Sequence, residues 1–166
     1  MKKQSLYIAL FSIILVLLFI QPNSVSAENW TPPASLVGNW SGKHLVVIRT
    51  KKDGKFNFIK HPGAVNFSIS INRNCKVTGS LGTAVFEDCI IQKNRGWIAK
   101  KLNLKTDYVI QGKLVGSIFP EDVIKNKIIS MPINIENGRI KGSLFQIEGL
   151  IEMFPMVDVS LIKDKK

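Results

Sequence analysis

The 166-residue chain has little of what reactive sites are made from: two cysteines, two histidines and two tyrosines. So few thiol and imidazole groups exclude zinc clusters and histidine-rich catalytic centres. Acidic residues are also scarce, 12 against 23 lysines and arginines, which gives a formal charge of +11. Apart from one N-terminal run, the chain lacks long apolar stretches, and almost no segment has the 3.6-residue periodicity of an amphipathic helix. A helical bundle and a multi-span membrane protein are therefore excluded. Intrinsic disorder is excluded as well, because 45% of the residues are hydrophobic. The length suits a single domain.

What is present begins with an address. Lys2 and Lys3 precede an apolar run from Leu6 to Ile20, Pro22 stops it, and Val25-Ser26-Ala27 has the small residues of a cleavage site. The run is shorter than the ~20 residues a membrane-spanning helix needs. The pattern predicts a signal peptide of bacterial type over residues 1–27 and one exported domain over 28–166. Export leads to the periplasm or the exterior, with no membrane span after processing. Cleavage removes two lysines and no acid, which leaves a net +9. That excess favours an anionic surface as partner. Its short clusters (Lys51-Lys52, Lys100-Lys101, Lys163 to Lys166) do not form the basic stripe expected for nucleic acid.

Strand-like alternation recurs through the rest of the chain. Val65, Phe67, Ile69 and Ile71 alternate with Asn66, Ser68, Ser70 and Asn72, the pattern of a half-buried strand. Other strands are expected at Trp40 to Thr50, Lys55 to Lys60, Lys76 to Leu81, Val85 to Gln92, Asp107 to Ile118, Lys127 to Ile135, Arg139 to Ile147 and Met156 to Ile162. Asp53-Gly54, Arg73-Asn74 and Asn137-Gly138 supply tight turns. Pro120 to Ile124 suits a single helical turn. Short consecutive strands with tight turns predict an all-β, antiparallel meander. Closing into a small barrel of about eight strands hides its edges. A two-sheet sandwich is the alternative.

A basic residue, two residues, then Gly-Ser and an aliphatic occurs three times: Lys76 to Leu81, Lys113 to Ile118 and Arg139 to Leu144. Alternation puts Gly79, Gly116 and Gly142 each between two aliphatics on an apolar face. Glycine weakens a strand, so a sharp bend or room for a large neighbour is expected at each. Leu36-Val37-Gly38-Asn39-Trp40 followed by a strand resembles the Gly-x-Trp opening of the calycin superfamily, which includes the lipocalins, fatty-acid-binding proteins and avidins. Lys76-Val77-Thr78-Gly79-Ser80 is similar to an early avidin strand. The resemblance implies a barrel whose Trp40 packs across its closed end. Ser41-Gly42-Lys43-His44 departs from the avidin pattern after the tryptophan, so biotin binding is not implied.

Cys75 and Cys89 are a pair in a chain bound for an oxidising compartment, and they are expected to form one disulfide. Setting them opposite each other in a hairpin pairs Gly79 with Val85 and Val77 with Glu87. His44 is either exposed or lumen-facing, and His61, before Pro62-Gly63, reads as an exposed turn residue. Trp97, between Arg95-Gly96 and Lys100-Lys101, suits a rim position. No serine elbow and no His-Glu-x-x-His motif occurs, and Glu87 and Asp88 point to opposite strand faces. No catalytic residue, metal ligand or cofactor is therefore expected. Two functions fit an exported small barrel: one holds a small apolar ligand inside, and the other, for instance a hydrolase inhibitor, binds a protein through its rim loops. An open interior favours the first, and a filled core with an exposed apolar rim the second.

Overall fold

The computed structural model describes residues 30–52, 55–95, 106–120, 122, 125–149 and 152–165. The expected signal peptide, Trp97 and most of the Pro120 to Ile124 segment lie outside these residues.

The described residues form ten strands: β1 (Gly38–His44), β2 (Val47–Lys52), β3 (Lys55–Lys60), β4 (Val65–Ile71), β5 (Lys76–Leu81), β6 (Ala84–Lys93), β7 (Tyr108–Val115), β8 (Asn126–Glu136), β9 (Arg139–Glu148) and β10 (Glu152–Lys163). Eight close a barrel in the order β1-β10-β9-β8-β7-β6-β5-β4, and every pair is antiparallel. The meander thus returns to its first strand, and the closed barrel replaces the sandwich alternative. The strand expected over Trp40 to Thr50 is two strands. It breaks at Leu45–Val46, where the chain leaves the wall and forms β2 and β3 as a separate two-stranded sheet.

Period-two alternation sets which side chains fill the interior. Phe67, Ile69 and Ile71 on β4 are buried, as are Val77 and Leu81 on β5, Ile140 and Leu144 on β9, and Val159 and Leu161 on β10. Phe67 and Phe86 lie parallel and offset, with ring centres 5.6 Å apart, within this core.

Between the aliphatics, glycine lets neighbouring strands coil closely. A Cβ at Gly79 would run into the Ser68 carbonyl oxygen and sit 2.8 Å from the Ile69 Cα. At Gly142 it would meet the Pro132 oxygen and lie 3.0 Å from the Ile133 Cα. The crowding neighbour is therefore the backbone of the adjacent strand, not a large side chain. Gly112, which the repeat does not include, is pressed in the same way against Cys89. Gly116 differs. β7 ends at Val115, and Gly116 makes the bend after it with φ +95°, its N–H donating to the Lys125 carbonyl at 2.6 Å.

No bridge joins Cys75 to Cys89 in this structure. The reason is register. The β5–β6 hairpin pairs Ser80 with Val85 and Leu81 with Ala84 around a Gly82-Thr83 turn, not Gly79 with Val85. A bulge then sets Val77 opposite Cys89, and the Ile91 N–H donates to the Cys75 carbonyl. The residue opposite Cys89 is thus two positions from Cys75. Asp88, with φ +50°, lies where the β6–β7 register shifts, so the inward phase passes from Phe86 to Cys89 and Ile91. The same shift keeps Glu87 out of the core.

Candidate functional site

The two ends of the barrel differ in kind. At one end Trp40 is buried and its indole N–H donates to the Leu36 carbonyl at 2.9 Å, which fixes the Pro33–Val37 turn against the first strand. The Lys163 ammonium lies 5.2 Å from the centre of the Trp40 ring and donates to the Ala34 and Ser35 carbonyls. A cation held over an indole face by two carbonyls is a fixed structural plug.

The other end carries the polar chemistry. Here the β2–β3 hairpin departs, and the β7–β8 and β9–β10 connections turn back. Lys127 has the inward phase of Ile129, Met131 and Ile133 on β8, so its side chain enters the barrel. Its ammonium pairs with the Asp122 carboxylate at 2.6 Å, and both side chains are only 1% exposed. The same carboxylate oxygen accepts the Ile118 N–H at 3.1 Å, and the Asp122 N–H donates to the Phe119 carbonyl at 3.0 Å. The ion pair thereby ties the turn at Ile118 and Phe119 to β8. Phe119 in that turn stacks on His61, with ring centres 3.5 Å apart. His61 is therefore half-buried at the foot of the hairpin, not an exposed turn residue.

His44, the last residue of β1, points into the barrel and is 8% exposed. Its ring is joined to the Asp158 main chain, lies edge-on to Phe67 at 5.8 Å, and leaves Nε2 without a hydrogen-bond partner. Burial outweighs the Asp158 contact and pushes the imidazole below its ordinary value of 6.5. Gln146 is also buried with an inward phase and donates to the Glu148 carboxylate at 2.6 Å.

The lowered histidine value has a testable consequence. The native state keeps His44 neutral while the unfolded chain takes up a proton below about 6.5, so stability is complete above that pH and falls as the pH drops through it. Chemical denaturation between pH 7.5 and 5.5 should show a declining midpoint for the wild type and a flatter profile for His44→Phe. Equal slopes would remove His44 as the cause.

Among the described residues no three His, Cys, Asp or Glu side chains come together as a metal site. His44 reaches the Asp158 main chain, while the Asp158 carboxylate faces outward and accepts the Ser143 hydroxyl at 3.3 Å. No acid–base couple is formed there. The residues singled out from sequence are dispersed. Trp40 and Cys75 lie towards the plugged end, Cys89 in the wall, Gly79 and Gly142 along the β4–β5 and β8–β9 seams, and Gly116 at the bend beside the ion pair. The sequence reading passes over both partners of this ion pair: the signal for Lys127 is its shared phase with Ile129, Met131 and Ile133, whereas Asp122 carries no local signal.

The chain matches no protein-family model, no curated protein and no solved structure.

Proposed function

We propose that the protein is an exported, non-enzymatic binding module on a calycin-like barrel, which engages its partner at the hairpin-bearing rim. The observation that carries this reading is the filled interior. Phe67, Leu81, Ile110, Ile129, Leu144 and Leu161, from six strands of the wall, have no surface that a water-sized sphere can reach. Side chains bordering a ligand-sized cavity would retain such surface. The Gly-x-Trp opening and the plug built on Trp40 support the calycin likeness. The hydrophobic groups that remain exposed include Leu45, Phe58 and Ile59, at or next to the hairpin. Filled core and apolar rim together favour rim binding over an enclosed apolar ligand. Native mass spectrometry of purified residues 28–166 should give the bare polypeptide mass. A lipid or other apolar molecule retained one per chain would overturn the reading.

A further inference from the structure

We propose that the β2–β3 hairpin is the element that docks the protein on an anionic lipid surface. This rests on the rim-binding reading and gives its partner a chemical class. The hairpin is a sheet of its own, outside the barrel wall, with its six cross-strand pairs running from Val47–Lys60 to Lys52–Lys55. Its root is fixed: Val46 and Ile48 are buried, the His61 N–H donates to the Val46 carbonyl at 2.9 Å, and the His61 ring stacks on Phe119. On β3, Phe58 is 53% and Ile59 48% exposed, and Lys55 and Lys60 are exposed on the same strand. Neither lysine is held in an ion pair among the described residues. Phe58 also lies against Phe154 of β10, with ring centres 5.4 Å apart, so the apolar surface continues onto the wall.

Charge and geometry select the partner. Residues 47–60 contain five basic residues (Arg49, Lys51, Lys52, Lys55 and Lys60) and one acid, Asp53. Such a segment is drawn to a negatively charged surface. Consecutive strand residues point to opposite faces, so Phe58 and Ile59 project from the two sides of one narrow ribbon. A folded protein partner covers one side of such a ribbon. Phe58 shares its side with Phe154 of the wall and Ile59 lies on the other; a fluid headgroup layer follows that uneven edge, taking the exposed aromatic and aliphatic groups to the acyl boundary while the lysines stay among the phosphates. Glu148 and Glu152 sit at the β9–β10 turn, so the hairpin and not the whole rim is the contact.

The test is cosedimentation of residues 28–166, which contain the entire self-closed barrel, with phosphatidylcholine vesicles with and without phosphatidylglycerol. Binding is expected to the phosphatidylglycerol vesicles, weakening with added salt. Phe58→Ser/Ile59→Ser and Lys55→Glu/Lys60→Glu should each lower the partition at least about tenfold, the equivalent of ~1.4 kcal/mol. Their barrel circular dichroism should stay unchanged, because these side chains lie outside the core. Absence of wild-type binding to phosphatidylglycerol vesicles, or undiminished binding by both variants, would overturn the lipid inference and leave rim binding standing. Lipid recovered in the supernatant, one per soluble chain, would overturn the rim reading as well.

Discussion

Lys127→Met is expected to destabilise the barrel by about 3–5 kcal/mol, a large share of the 5–15 kcal/mol of a typical domain. The ammonium and the Asp122 carboxylate are 2.6 Å apart and both almost wholly out of solvent, so removing one takes from the other the opposite charge it faces in the interior. Asp122→Asn should cost a similar amount by taking the carboxylate charge from the buried ammonium. The double change Lys127→Met/Asp122→Leu should recover most of the loss, since no buried charge then remains. It should not recover all of it, because the Asp122 carboxylate also accepts the Ile118 N–H. A net hydrogen bond of this kind contributes about 1.5–3 kcal/mol. Urea unfolding of the three variants checks the pattern. Single changes no more harmful than the double would show that the pair is not the tie that holds this turn.

Valine at Gly79 or Gly142 should cost about 3 kcal/mol or more, at or beyond the top of the usual range for overpacking. What stands in the way is backbone: the Ser68 carbonyl and Ile69 Cα for Gly79, the Pro132 carbonyl and Ile133 Cα for Gly142. A side chain in the path rotates aside, but a strand bonded into a closed barrel moves only with its neighbours. Gly79 carries the further burden of φ +152°. Gly116→Ala should cost less, about 1–2 kcal/mol, because its φ is +95° but the nearest atom to a new Cβ is 3.5 Å away. Valine at Ser80 or Ser143, on the opposite face, should cost about 1 kcal/mol through the lost contacts to Ser68 and Asp158. Thermal unfolding ranks the series. A Gly79→Val protein as stable as Ser80→Val would contradict the close approach of β4 and β5.

The strand positions and their inward faces were legible from the chain because period-two alternation is a local property. Alternation places Lys55 to Lys60 and Lys76 to Leu81 with the bounds the structure has, and the strand from Val65 to Asn72 within one residue. Their core faces follow from the same count. The likeness of Gly38-Asn39-Trp40 to a calycin opening was legible for the same reason, since it lies in one short segment.

Only the tertiary structure decided how those strands register and where the chain leaves the wall. Trp40 to Thr50 alternates well enough for one strand, yet β1 runs beside β4 only as far as His44 and Val65, so the following residues pair with each other outside the barrel. The bulge at Asp88 turns Cys89 inward and sets it opposite Val77, which separates two thiols that spacing alone would join. Asp122 meets Lys127 because the bend at Gly116 brings the connection back over the barrel mouth. Each outcome depends on partners that a strand finds across the barrel, and barrel closure sets those partners collectively. Alternation assigns a residue to a face, but closure decides what that face meets.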